Sequence, residues 1–291
     1  MARLKHTFKT DTLFKMLFTR HQDLLKRLVA ELLGIRHGSI ERFEVTNPEM
    51  PPELLGGKFC RLDINMVVDG QLVNLEIQVR DEDDYPERML FHWARMYSSA
   101  LPKGDDYKNL PRSVVISIID FNLFDCAEFH SEFRPLETTR GELLSDRMSL
   151  HFFELRKVPA QTNAGDMLLL WLLLFKARTE EDIRKIRALE VPELEQALNA
   201  FDQIRGSREF LELERQREIM RMNEASALRH ARDKATAKER MKWQGVVSGK
   251  DAVIANKDAA IADKDAAIAD KDAENERLRA ELDELRAKLK S

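Results

Sequence analysis

The chain has 291 residues, 43% of them hydrophobic and 34% charged, with 11 Gly and 9 Pro. That mix supplies enough apolar side chain for a real core and excludes collagen-like, mucin-like and linker-dominated chains. A formal net charge of −4 excludes a polycation that holds nucleic acid by bulk charge, and Cys60 and Cys126 alone make neither a disulfide framework nor a four-ligand zinc site.

No apolar stretch follows Met1–His6, so no secretory signal is expected. Thr10 or Asp11 caps a periodic run from Leu13 to Leu33 that predicts one amphipathic helix ending at Gly34. Leu62 to Val68 and Leu72 to Val79 alternate with period 2 and predict two strands. A helix follows over Arg88 to Leu101, then short apolar strands at Val114 to Ile119 and Leu150 to Leu155. The order α-β-β-α-β predicts an α/β fold.

From Gln161 to Phe201 the pattern is helical, with Pro192 starting a further helix. The longest apolar run, Met167 to Phe175, is far shorter than the roughly 20 residues that span a bilayer. No membrane partner is expected, and the location expected is the cytoplasm. After Pro192 there is no proline, and Arg, Glu, Ala and Lys dominate from Ser207 onward, which favours long helices.

The tail repeats Lys-Asp-Ala-x-Ile-Ala in register from Lys250, Lys257 and Lys264. Ile254, Ile261, Ile268, Asn275, Leu282 and Leu289 fall at heptad position a, with Leu278 and Leu285 at d. Lys257, Lys264 and Lys271 occupy d earlier on and weaken the seam there; a solvated single helix is the alternative. A homo-oligomer through this coiled coil is the expectation. Composition divides the chain into an α/β domain over 1–160, a helical region over 161–245 and a heptad-repeat tail over 246–291.

The stretch that can carry chemistry surrounds Asp69-Gly70, a dipeptide that favours a two-residue hairpin turn. With those residues as the turn, Asp63 lies across from Glu76, Arg61 from Gln78 and Asn65 from Asn74, while Leu62, Ile64, Met66, Val73, Leu75 and Ile77 share the other face. Like charges directly opposite on a sheet cost a few tenths to about 1 kcal/mol. Two such carboxylates suit a shared hard cation, Mg²⁺ or Mn²⁺. The solvated face of an ordinary amphipathic hairpin would read the same way.

Asp63, followed after twelve residues by Glu76-Ile77-Gln78, resembles the D…(D/E)-x-K core of PD-(D/E)XK nucleases, with Gln where Lys is usual. Phe8-Lys-Thr-Asp11-Thr-Leu-Phe14-Lys15, Arg61-Leu-Asp63-Ile, Asn74-Leu-Glu76-Ile-Gln78, Pro86-Glu-Arg88, Trp93-Ala-Arg95-Met-Tyr97, Gly104-Asp-Asp-Tyr107 and Val115 to Phe124 extend the likeness. Over about residues 5–245 the chain resembles the Rpn family of recombination-promoting nucleases, PD-(D/E)XK-type transposases. The resemblance implies a restriction-endonuclease-like core that hydrolyses DNA with Mg²⁺ or Mn²⁺. It implies Asp63 and Glu76 as metal ligands, Gln78 in the place of the catalytic lysine, and Asp11 as an acid preceding the core. Gln78 brings no charge. Arg61 either supplies it or simply neutralises the acids, and a catalytically inactive DNA-binding or scaffolding protein is the alternative function.

Arg88, His92 and Arg95 share a helical face and either touch phosphates or pair with the acidic run Asp81 to Asp84. Lys15 is either part of the site or a surface lysine. His130, His151 and the three tryptophans, Trp93, Trp171 and Trp243, read as structural. Residues 1–42 carry nine Lys/Arg against four Asp/Glu, and residues 205–243 eleven against seven; either can track a phosphate backbone, with a solvated helix of alternating charge the preferred reading of 205–243.

Overall fold

The computed structural model describes residues 3–47, 63–163 and 165–289; Arg61, Leu62 and Cys60 lie outside them. The chain divides into two compact units, Met1–Arg221 and Met222–Ser291. No described helix is long and apolar enough to cross a membrane.

The first unit is built on a six-stranded sheet in the order β1-β2-β3-β4-β6-β5. Its strands are β1 (Phe43–Val45), β2 (Ile64–Val68), β3 (Gln71–Gln78), β4 (Ser113–Ile119), β5 (His130–Phe133) and β6 (Met148–Glu154). β3, β4 and β6 run parallel in the middle. Antiparallel β1, β2 and β5 flank them. β4 is buried along its whole length, which is why it reads as an unbroken apolar run rather than an alternating one.

One face of the sheet packs under α1 (Asp11–Arg20), α2 (Gln22–Leu33), α4 (Met167–Lys176), α5 (Glu180–Arg187) and α6 (Pro192–Arg205). Ile64, Met66, Val73, Leu75, Ile116 and Phe153 enter this core. α4 is the long apolar run, and its Leu170, Trp171, Leu172, Leu174 and Phe175 are all buried. The opposite face carries a smaller cluster in which Tyr85 and Met89 of α3 (Tyr85–Ser99) meet Val115, Ile119, Leu150 and Phe152.

The single helix expected over Leu13–Leu33 is two helices, broken at His21, whose backbone (φ −113°, ψ 68°) is not helical. Leu17 and Phe18 recur as Leu24 and Leu25 at heptad distance, so the apolar spacing runs through the break and conceals it. β1 and β5 were not expected. β1 has only three residues and β5 is half exposed, so neither prints a periodic signal.

α7 (Arg208–Leu289) has 82 residues. Beyond Arg221 every residue whose burial is described is exposed, including Ile254, Ile261, Ile268, Leu278 and Leu282. Trp171 is a core residue, but Trp243 is 61% exposed on this helix, because nothing among the described residues packs over it.

Candidate active site

Asp69 and Gly70 have φ of 47° and 80°. Positive values at both centres of a two-residue loop make the turn that matches the twist of paired strands. The turn fixes the register: Val68 faces Gln71, Asn65 faces Asn74 and Ile64 faces Leu75. Continued by one residue past the end of β2, the same pairing would set Asp63 across from Glu76. Because side chains alternate, Asn74, Glu76 and Gln78 point away from the large core, toward the layer that holds α3.

Asp63 is gripped from three sides. Its Oδ2 accepts a hydrogen bond from Asn74 Nδ2 at 2.6 Å. Its backbone oxygen accepts from Asn47 Nδ2 at 3.1 Å and from Lys15 Nζ at 3.3 Å. Asn47 also accepts from the Asn65 backbone N–H at 2.7 Å, tying the end of β2 to the residues after β1. Lys15 reaches this point from α1 and is only 1% exposed.

Glu76 is 5% exposed and its Oε1 accepts from the Tyr85 hydroxyl at 2.7 Å. Tyr85 is held edge-on between Phe121 and Phe152, with ring centroids 5.5 and 6.3 Å away. A locked ring therefore orients the carboxylate. Asn74 Nδ2 is shared between Asp63 and Asn65 Oδ1, while Asn74 Oδ1 is buried with no partner among the described residues. The pair thus has a third oxygen donor beside it whose own hydrogen-bonding need is unmet.

Gln78 turns to the loop beyond its strand, where its Nε2 donates to Arg80 O at 2.8 Å and Glu82 Oε1 at 3.3 Å. Arg88 pairs with Glu82 of the acidic run and lies 4.7 Å from the Tyr85 ring centre. Its Nε and second terminal nitrogen remain buried and without partners among the described residues. Asp11 is bound at 2.9 Å by Arg217 of α7 and holds the start of that helix against α1; Lys15, one turn on, is the α1 residue that meets the hairpin.

Among the described residues no three His, Cys, Asp or Glu side chains form a metal cluster. The hairpin offers two carboxylates and the orphaned Asn74 oxygen, all hard donors, and this set fits Mg²⁺, which takes one or two protein carboxylates and completes its shell with water and phosphate oxygens. Asn74, Asn47 and Tyr85 gain their importance only here. The Asn65–Asn74 pairing was visible in the hairpin pattern, but the reach of Asn47 and Tyr85 depends on tertiary packing.

A six-stranded mixed sheet with helices on both faces makes this a mixed α/β protein. The model of the PD-(D/E)XK nuclease family transposases matches residues 8–231, and the chain belongs to that family. Nucleases of this kind typically use divalent metal ions. Curated proteins give no match to the chain, and neither do solved structures.

A second polar cluster sits on the other face of β6. His151 Nδ1 lies 3.1 Å from His130 Nε2, and His151 Nε2 lies 2.6 Å from Ser149 Oγ, which donates to Glu132 at 2.9 Å. Burial pushes the His151 imidazole from 6.5 down to about 4, against the raising effect of Glu132, and burial also lowers His130. The unfolded chain therefore binds more protons than the folded one between these values, so the stability is complete above about pH 6.5 and drains away toward pH 4. The expected loss across that window from His151 is on the order of 3 kcal/mol. Urea unfolding at pH 7 and pH 4 checks it: His151→Gln should flatten the pH dependence, and an unchanged slope would refute the assignment.

Proposed function

We propose that this protein is a divalent-metal-dependent DNA endonuclease, acting in the cytoplasm in recombination or transposition. The observation that supports the reading is the hairpin register, with Asn65 facing Asn74 and Ile64 facing Leu75, which continued by one residue would set Asp63 opposite Glu76, each carboxylate already held by a neighbour, Asn74 and Tyr85. Asp63, Glu76 and the Asn74 oxygen would hold Mg²⁺ or Mn²⁺. When bound, the ion supplies a bound water of lowered pKa and stabilises charge on the phosphate.

This chain's own groups do the rest. Tyr85 keeps one Glu76 oxygen hydrogen-bonded and so holds the carboxylate that would bind the cation. Arg88, with two buried N–H groups unpartnered, is placed to take a phosphate oxygen. Lys15 supplies near Asp63 the positive charge that Gln78 lacks. Lys15→Met is expected to lower kcat for plasmid nicking by about 10²-fold with little change in KM, since a preorganised charge acts mainly on the transition state. Lys15→Arg should retain part of the rate. Equal rates for Lys15→Met and wild type would dismiss this role.

The test of the function itself is nicking of supercoiled plasmid by wild-type protein with Mg²⁺ or Mn²⁺ and its loss in EDTA. A second reading, a nuclease fold that binds DNA without cutting it, is favoured by Gln78 turning to Glu82 and by the near-complete burial of Glu76. DNA binding without nicking under either metal would select it.

The exposed apolar stripe at Ile254, Ile261 and Ile268 supports self-association through the tail, since a helix this long is rarely left with a bare apolar seam. We place the parts of the proposed organisation at 1–160, 161–245 and 246–291. A chain ending at Gly249 should then elute in light scattering at a smaller multiple of its own mass than the full-length chain does. The same multiple for both would remove the tail from assembly.

A further inference from the structure

A cavity of about 790 Å³ opens at the carboxyl ends of β4 and β6, bounded by Asp120, Leu155 and Arg156 on the strand side and by α4 and α5 on the other. Its size falls in the roughly 300–1,000 Å³ range of small-molecule sites. The carboxyl ends of parallel strands are where open α/β sheets bind ligands. It shares that end of the sheet with Gln78, whose backbone oxygen accepts from the Asp120 N–H at 2.9 Å.

The lining is two-sided. Leu155, Ala177 and Ile186 are buried and give an apolar floor. Arg156, Lys176, Arg178 and Lys185 stand around it. The acids present do not cancel these cations. Asp120 takes both Lys9 (2.7 Å) and Arg178 (3.0 and 2.8 Å), leaving that trio net positive. Asp182, the third residue of the α5 capping box begun by Thr179, accepts from the backbone N–H groups of Arg178 and Thr179, both at 2.9 Å, and the Lys185 charge also acts on it. Lys176 is held by a neutral group, the Val158 carbonyl at 2.6 Å. Arg156 and Lys185 have no ion pair among the described residues.

An apolar floor beside surplus guanidinium and ammonium groups matches a base joined to a phosphate. We infer that this cavity is a second binding site, for a nucleotide with a terminal phosphate, either free or at the 5′ end of a DNA strand. The site is separate from the acid hairpin and does not depend on cleavage there.

Calorimetric titration of the full-length protein in EDTA, where the hairpin can hold no metal, tests it with dAMP, deoxyadenosine and a single-stranded hexanucleotide with or without a 5′-phosphate. Saturable binding of dAMP or of the phosphorylated strand is expected, with the unphosphorylated counterpart at least roughly tenfold weaker. Arg156→Glu and Lys185→Glu, both at exposed positions, should each weaken it about tenfold, and Lys103→Glu should not. A phosphorylated strand binding more tightly than dAMP assigns the site to strand ends, and the reverse assigns it to free nucleotide. Binding of neither probe, equal binding with and without the phosphate, or indifference to both charge reversals would overturn the inference.

Discussion

Glu76→Gln is expected to reduce plasmid nicking by about 10³-fold, the scale on which losing a metal-holding or transition-state-stabilising group acts. Asp63→Asn should do the same, and the double variant should be no worse than either single one, because the two carboxylates act as a unit. Stability should not fall in parallel. Removing one of two like charges placed across a hairpin relieves a few tenths to about 1 kcal/mol, which compensates part of the weaker hydrogen bond from Tyr85. Duplex DNA binding measured by anisotropy should stay within a few-fold of wild type. A Glu76→Gln protein that nicks at the wild-type rate would place the chemistry elsewhere; one that fails to fold would make the change in rate uninformative, and Tyr85→Phe then serves as the milder probe, expected to slow nicking with the carboxylate still present.

Asp120→Ala is expected to cost about 3–5 kcal/mol of folding stability. Lys9 and Asp120 are 5% and 7% exposed and meet at 2.7 Å. Burial already lowers the Lys9 pKa, and Asp120 is the partner that opposes this. Taking the carboxylate away strands a buried ammonium, which is far more costly than losing an exposed pair. Urea denaturation of the single variant and of Lys9→Met with Asp120→Ala separates the causes: the double variant should recover at least half of the loss. A loss below about 1 kcal/mol in Asp120→Ala would show that Lys9 is solvated after all.

What the sequence disclosed follows from which interactions are local. The hairpin was legible to the residue, because Asp69-Gly70 dictates a turn and the period-2 pattern leaves a single register that buries Ile64, Met66 and Leu75 together. The buried strand β4 and the apolar helix α4 were legible from hydrophobicity alone. The break at His21 was not, since the apolar spacing continues across it. The surroundings of the acid pair were only half visible. Lys15 was in view as a candidate, but its reach to Asp63, 48 residues away, is a product of packing. Asp11 carried equal promise and went to Arg217, 206 residues distant; a charge in the sequence does not announce its partner. Nor did the spacing of His130 and His151 suggest that adjacent strands would stack their rings.

The Asp69-Gly70 bend has one more consequence, for how this protein can change its length. Asp69 also caps the approach to β1, its Oδ1 accepting from the backbone N–H groups of Glu41 and Arg42, so the bend is pinned from outside as well as by its own geometry. A single inserted or deleted residue there would slide β2 past β3 by one step and carry Asp63 to the wrong side of the ribbon. Drift in gene length is tolerable at many surface loops, but here the same slip would turn Ile64 and Met66 out of the core along with it, so descendants should keep the bend at its present length for as long as they keep the sheet.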